Sequence, residues 1–250
     1  MPYYSYGYGY YGGYGDFLAN NIYCVLLIPV MLLAVWAQLQ VSGNFRRYSA
    51  VSSRRRLTGA QAAEAVLRAN GVHGVSIRPC RGHLTDHYDP RNDTIYLSEE
   101  VYHAATIAAV GVAAHEAGHA VQYAVGYGPV RLRGAIIPAT QIGSKFSFLL
   151  LLAGMLLYSQ ALFLVGIVLF SLTTVFQLVT LPVEFNASAR AVAAIGEQRL
   201  LDEDELDGAK RVLRAAAMTY VAALLMSALQ LLRYVLIFLG RSEERGGSRE

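Results

Sequence analysis

Two histidines four residues apart, with a glutamate directly after the first, are the residues of this chain best suited to chemistry. They are His115, Glu116 and His119, in the run Val112-Ala113-Ala114-His115-Glu116-Ala117-Gly118-His119-Ala120-Val121. On a helix, positions i and i+4 share a face, so both imidazoles can grip one ion. Zinc accepts neutral imidazole nitrogens at about 2.0 to 2.1 Å, and a catalytic site keeps one of its four positions for water. Glu116 can sit beside that water without ligating and take its proton as general base, while zinc lowers the water's pKa toward about 7 and polarises the scissile carbonyl. A chance pattern on an ordinary helix is the plain alternative. The small residues Ala113, Ala114, Ala117, Gly118 and Ala120 favour the metal reading, because they let other helices close over a buried ligand helix.

A third protein ligand is needed. The extended HExxHxxGxxH pattern is excluded, since position 125 is Val125. Glu184 fits best, in Leu181-Pro182-Val183-Glu184-Phe185-Asn186-Ala187-Ser188-Ala189-Arg190, where the chain leaves a long apolar run. A lone carboxylate there is costly unless it is paired or bound to metal. The alternative is an interfacial Glu184, or one paired with Arg190. Other candidates are weaker: His103 reads as a surface histidine, and Asp86-His87-Tyr88-Asp89 as a turn capped by its own side chains. Glu197, Glu203 and Glu205 lie in a charged run and read as solvated.

The elements that must position these groups are mostly apolar. Of 250 residues, 54% are hydrophobic and only 16% charged, unlike a soluble domain. Residues 1–16 are low in complexity, with Tyr6, Tyr8, Tyr10 and Tyr14 spaced by glycine, and read as a flexible tail at the membrane interface. Residues 17–39 form the first transmembrane candidate, with Pro29 as a kink. No basic n-region precedes it and no small-x-small cleavage site follows, so it reads as a retained anchor. Arg46, Arg47, Arg54, Arg55 and Arg56 follow the span and no basic residue precedes it, which places the next segment in the cytoplasm and the amino terminus outside. The net charge of +3 is mild and its basic residues are scattered, which argues against a nucleic-acid partner. Cys24 and Cys80 form no CxxC, so free thiols and no zinc–thiolate site are expected.

Residues 42–134 are the one large polar stretch and read as a compact α+β module. Thr58 can cap a helix through Ala60, Ala63, Val66 and Leu67 that Asn70-Gly71 stops. Residues 75–78 and 94–97 alternate as short strands, with turn chemistry in Asp89-Pro90-Arg91-Asn92 between them. Glu99 and Glu100 suit a helix start, and a longer helix, 106–125, carries the HExxH. Residues 138–181 are about twice the length of one span and read as a hairpin broken at Tyr158-Ser159-Gln160, with Lys145 an intramembrane charge in its first arm. Residues 182–214 read as a helical segment holding Glu184, 215–239 as a fourth span that can continue it, and 240–250 as a disordered mixed-charge tail. Four spans put both termini on one side.

Four runs together carry a family likeness: Gly82-His83-Leu84-Thr85-Asp86-His87-Tyr88-Asp89-Pro90, Ile95-Tyr96-Leu97-Ser98, the HEAGH run from Val112 to Gln122, and that from Leu181 to Arg190. Their order and content closely resemble the YugP-type neutral zinc metallopeptidases of bacterial membranes, nearly colinearly from the first span through the fourth. The resemblance implies His115, His119 and Glu184 as zinc ligands, Glu116 as base, and kinship with HtpX and the prenyl-protein endopeptidases. In many such relatives an Asp four residues beyond the ligand Glu orients the first histidine. Here that position is Ser188, so Asn186 or Ser188 takes the role.

The expectation is therefore a mainly α-helical multi-pass membrane protein of about four transmembrane helices with a small α+β zincin-like module, holding one zinc per chain. Its function reads as endopeptidase action on unfolded or membrane-associated protein segments. The strand at 94–97 would offer an edge to an extended peptide, and Arg190 and Tyr123 are candidate transition-state donors. Two rivals remain. An inactive zinc-binding scaffold or regulator would not need Glu116, and a metal transporter would not place its HExxH outside the spans.

Overall fold

The computed structural model describes residues 14–246, so the tyrosine- and glycine-rich start lies outside the described residues as far as position 13, and positions 247–250 lie outside them at the other end. The elements run α1 (Tyr14–Ser49), α2 (Gly59–Ala69), β1 (Ser76–Cys80), β2 (His87–Asp89), β3 (Thr94–Ser98), α3 (Glu99–Tyr102), α4 (Ile107–Ala124), α5 (Gly128–Leu156), α6 (Gln160–Glu197) and α7 (Glu203–Gly246). Four helices, α1, α5, α6 and α7, are long and apolar enough to cross a membrane. The chain is thus a mainly helical protein with four candidate spans and a small three-stranded sheet.

The long helices outrun the bilayer. At 38 residues α6 is about 57 Å long, against roughly 30 Å of hydrocarbon. Helix α1 continues through residues 39–42, where the sequence suggests a span ending and a module beginning, and runs on through Ser42-Gly43 as far as Ser49. Pro182 lies inside α6 without ending it. The stretch 182–214 is consequently not one segment: Glu184 belongs to α6, while its acidic run opens α7 beyond a turn in which Arg199 has φ of 50°. The carboxy-terminal tail also differs from expectation, being helical as far as Gly246, since no glycine or proline lies between Gly240 and Gly246.

Within the module, the capping box of Thr58 and Gln61 starts α2, and Gly71, at φ of 66°, releases the chain after Asn70. Ala62, Ala63, Val66 and Leu67 of α2 pack with Ile95, Leu97, Val101 and the small residues of α4 in one core. In the sheet, ordered β1-β3-β2, β1 pairs with β3 in parallel and β2 pairs with β3 antiparallel, His87 opposite Tyr96. Two expectations change. Residues 87–89 form a strand rather than a self-capped turn, and Asp89 Oδ1 accepts the Arg91 N–H at 3.0 Å to shape the turn beyond it. Strand β3 is central and offers no edge; β2 and β1 are the edges.

The α5–α6 hairpin turns at Leu157–Ser159, with Ser159 capping α6 through the Leu162 N–H. Helix α7 returns antiparallel to α1, where the Tyr23 hydroxyl donates to Gln230 at 2.6 Å. Glu205 is not solvated but buried, accepting the backbone N–H groups of Arg54 at 2.8 Å and Asp202 at 3.0 Å. The Arg54 guanidinium reaches Asp202 and Asp204, tying the module to the start of α7.

Candidate metal centre

Helix α4 starts at Thr106, whose hydroxyl accepts the Ala109 N–H at 3.3 Å, and most of its residues are buried. An all-round apolar helix of small residues is a helix meant to be enclosed. At its crossing with α6, a Cβ added at Gly118 would lie 2.7 Å from the Ala187 carbonyl oxygen, so the two backbones are nearly in contact. That approach brings Glu184, one turn before Ala187, against the histidine face of α4.

The imidazoles of His115 and His119 are edge to face with centroids 4.7 Å apart. Glu184 Oε2 lies 3.3 Å from His115 Nε2 and 3.5 Å from His119 Nε2, and the three candidate ligand atoms fall within 4.8 Å of one another. For a tetrahedral zinc at about 2.0 to 2.1 Å from each donor, neighbouring donors stand about 3.3 to 3.4 Å apart. The residues fit. A second observation agrees: Glu184 is 2% exposed, yet its Oε2 has no hydrogen-bond donor, an arrangement costly for a buried carboxylate oxygen unless a cation faces it. Its other oxygen, Oε1, accepts from Arg133 Nη1 at 3.1 Å, which leaves Oε2 to ligate.

Polar partners behind the histidines set their tautomers. His119 Nδ1–H donates to Gln122 Oε1 at 3.0 Å, because an amide oxygen can only accept. Gln122 is itself held, donating to the Val183 carbonyl at 2.8 Å and to Asn186 Oδ1 at 3.0 Å. His115 Nδ1 pairs with Ser188 Oγ at 3.2 Å. Both rings therefore present Nε2 to the shared point. Burial works against the protonated form of His119, and the nearby Glu184 and Glu116 carboxylates outweigh it, raising the imidazole above its ordinary range.

Glu116, 8% exposed, faces an open cavity of about 300 Å³ shared with His115 and Glu184. Gln38 and Val41 of α1 and Tyr220 of α7 line its other walls. Asp86, just before β2, also lines it, its carboxylate accepting the Ser98 N–H at 2.7 Å and Ser98 Oγ–H at 3.1 Å. Burial raises the Asp86 pKa above the ordinary carboxylate range, with the neighbouring Glu116 adding to it against the Ser98 hydrogen bonds.

Of the sequence candidates, the structure gathers His115, His119 and Glu184 around one point, with Glu116 lining the cavity beside it and Ser188 behind His115. Asn186 acts at one remove, through Gln122. Tyr123 and Arg190 do not line the cavity: the Tyr123 ring packs on Tyr88 at 5.6 Å, and Arg190 Nε donates to Asn186 at 2.8 Å. His87 stacks on Tyr96, and His103 meets Tyr102 edge to face, away from the cluster. Sequence reasoning missed Gln122, Arg133, Asp86 and Tyr220. Gln122 carried a usable signal, lying three residues beyond His119 on the ligand helix; the other three reach the site only through tertiary folding.

The profile of a family described as "Putative neutral zinc metallopeptidase" matches residues 23–239. A protein of Bacillus subtilis (strain 168) named "Putative membrane protease YugP" is 46% identical over 223 residues, covering 89% of this chain and 99% of the relative. No solved structure matches.

Proposed function

Because the chain belongs to this family of neutral zinc metallopeptidases, we propose that its metal centre hydrolyses internal peptide bonds of unfolded or membrane-associated proteins. The observation that carries the reading is the placing of Glu116: a carboxylate next to a ligand, turned into the cavity rather than onto the shared point of His115, His119 and Glu184. Zinc held by those three residues supplies Lewis acidity that makes water nucleophilic near neutral pH and polarises a carbonyl.

The chain's own groups do the rest. Glu116 accepts a proton as the water oxygen bonds to the scissile carbonyl carbon, then gives it to the amide nitrogen as the C–N bond breaks. Ser188 and Gln122 hold the two imidazoles in the tautomer that leaves Nε2 free to ligate, and Arg133 keeps Glu184 turned through one oxygen. Strand β2 is an edge that packs on α4, and an extended peptide adding along it would pass the cavity. The wall from α1 and α7 supports a membrane-associated substrate, since both helices are candidate spans.

The arginines at 46, 47 and 54–56 support a cytoplasmic site with both termini outside. A cysteine replacing the exposed Ala69, in a chain otherwise free of cysteine, should resist an impermeant reagent applied to intact cells; ready labelling contradicts the orientation. Activity is tested with purified protein and casein. Degradation should stop on chelation and return with zinc, whereas proteolysis indifferent to chelator contradicts the reading. A chain that binds zinc but cleaves nothing would instead be the scaffold.

A further inference from the structure

Helices α1 and α7 form more than one wall of the catalytic cavity. Their opposite face carries a second groove, of about 180 Å³, lined by Trp36, Gln40 and Asn44 of α1 and by Arg211, Arg214 and Met218 of α7. The α1 residues recur every fourth position and so form one stripe. Arg211 and Arg214, three apart, share a face of α7. Both guanidiniums are exposed and make no ion pair among the described residues; Asp207, one turn before Arg211, is taken by Lys210 at 3.2 Å.

The groove sits where both helices change from apolar to polar. The apolar run of α7 begins just after Arg214, and that of α1 ends at about residue 39, within the groove's own length. An indole is at home at such a boundary. Leu32, Val35 and Leu39 of α1 continue from it as an exposed apolar surface for acyl chains. Two free guanidiniums beside the Gln40 carboxamide, whose Oε1 accepts from Asn44 Nδ2 at 3.1 Å and whose amide N–H groups stay available, at the head of an apolar track, match an anionic phosphodiester carrying two hydrocarbon chains.

We propose that this groove seats the headgroup of an anionic phospholipid, which bridges α7 to α1 at the membrane surface. The bound lipid braces the helix pair whose other face closes the catalytic cavity. This site does not depend on the hydrolytic reading, and its test needs no turnover.

Trp36 is the only tryptophan of the chain, so its fluorescence reports the groove directly. In mixed micelles at fixed salt, phosphatidylglycerol with brominated chains should half-quench Trp36 at a mole fraction about tenfold or more below brominated phosphatidylcholine. The double variant Arg211→Gln/Arg214→Gln should bring the two curves together. Arg211→Lys/Arg214→Lys, which keeps the charge, should retain most of the preference and shows whether folding alone is at issue. Arg46→Gln/Arg47→Gln, a basic pair outside the groove, should leave it within about twofold. Equal quenching by the two lipids in wild type overturns the proposal. So does an equal loss in the Arg46/Arg47 variant, which means diffuse surface charge, or full displacement of brominated phosphatidylglycerol by millimolar inorganic phosphate, which means a free-anion site.

Discussion

Two helix pairs bound the catalytic cavity, and they are held differently. The α4–α6 pair meets backbone to backbone at Gly118 and Ala187, and its polar atoms are joined through Gln122, Asn186 and Ser188. The α1–α7 pair, two candidate spans with exposed outer faces, packs along much of its length with few polar ties: Tyr23 to Gln230 between the helices, and Arg54, beyond α1, to Asp202 and Asp204 at the start of α7. The first pair must hold three donors to a few tenths of an ångström, and a close-packed interior does that. The second supplies walls but no ligand, and apolar packing with few polar ties suffices. Polar cross-links are concentrated where ligand geometry requires them.

That contrast predicts a falling series of effects. Glu184→Gln removes an anionic ligand and leaves Arg133 facing a neutral amide, so zinc should fall from about one per chain to a small fraction. Metal content unchanged in that variant would remove Glu184 from the ligand set. Gly118→Val must push α4 from α6, because its Cβ would meet a backbone oxygen at 2.7 Å that no rotamer can move. A stability loss of about 1–3 kcal/mol, with weakened zinc retention, is expected in thermal unfolding of the purified protein. Ser188→Ala removes the partner of His115 Nδ1, and zinc affinity measured against a competing chelator should fall about 10- to 100-fold with little change in unfolding temperature.

The smallest effect belongs to the other pair. Arg54→Ala breaks ion pairs that are largely solvent exposed, so the unfolding temperature should barely move while zinc content stays unchanged. A loss of metal in that variant would mean that the α1–α7 wall controls the ligands too, and the contrast between the pairs would fail.

Much of the site was legible in sequence because it is local. His115, Glu116 and His119 are set by helix periodicity, and the Thr58 cap and Asn70-Gly71 stop by side chains within a few residues. Glu184 could be read because a carboxylate in an apolar run has few stable explanations. What escaped is non-local. Arg133 and Asp86 reach the site through packing of α5 on α6 and of the loop before β2 on α4, which no window of sequence contains. Strand β2 escaped because three residues give too short a period to see, and its pairing with β3 made that strand central rather than an edge. The lengths of α1 and α6 escaped because hydropathy marks where a helix enters the membrane, not where it stops.

If Glu116 carries the proton without ligating the metal, its loss must separate metal binding from turnover. Purified wild type and Glu116→Gln are assayed side by side for zinc content and for cleavage of a peptide library. The variant keeps the size and polarity of the side chain but removes the base. Zinc per chain and unfolding temperature should be unchanged, while turnover falls by about 10² or more. Equal cleavage by the two proteins, with zinc present in both, would contradict the mechanism.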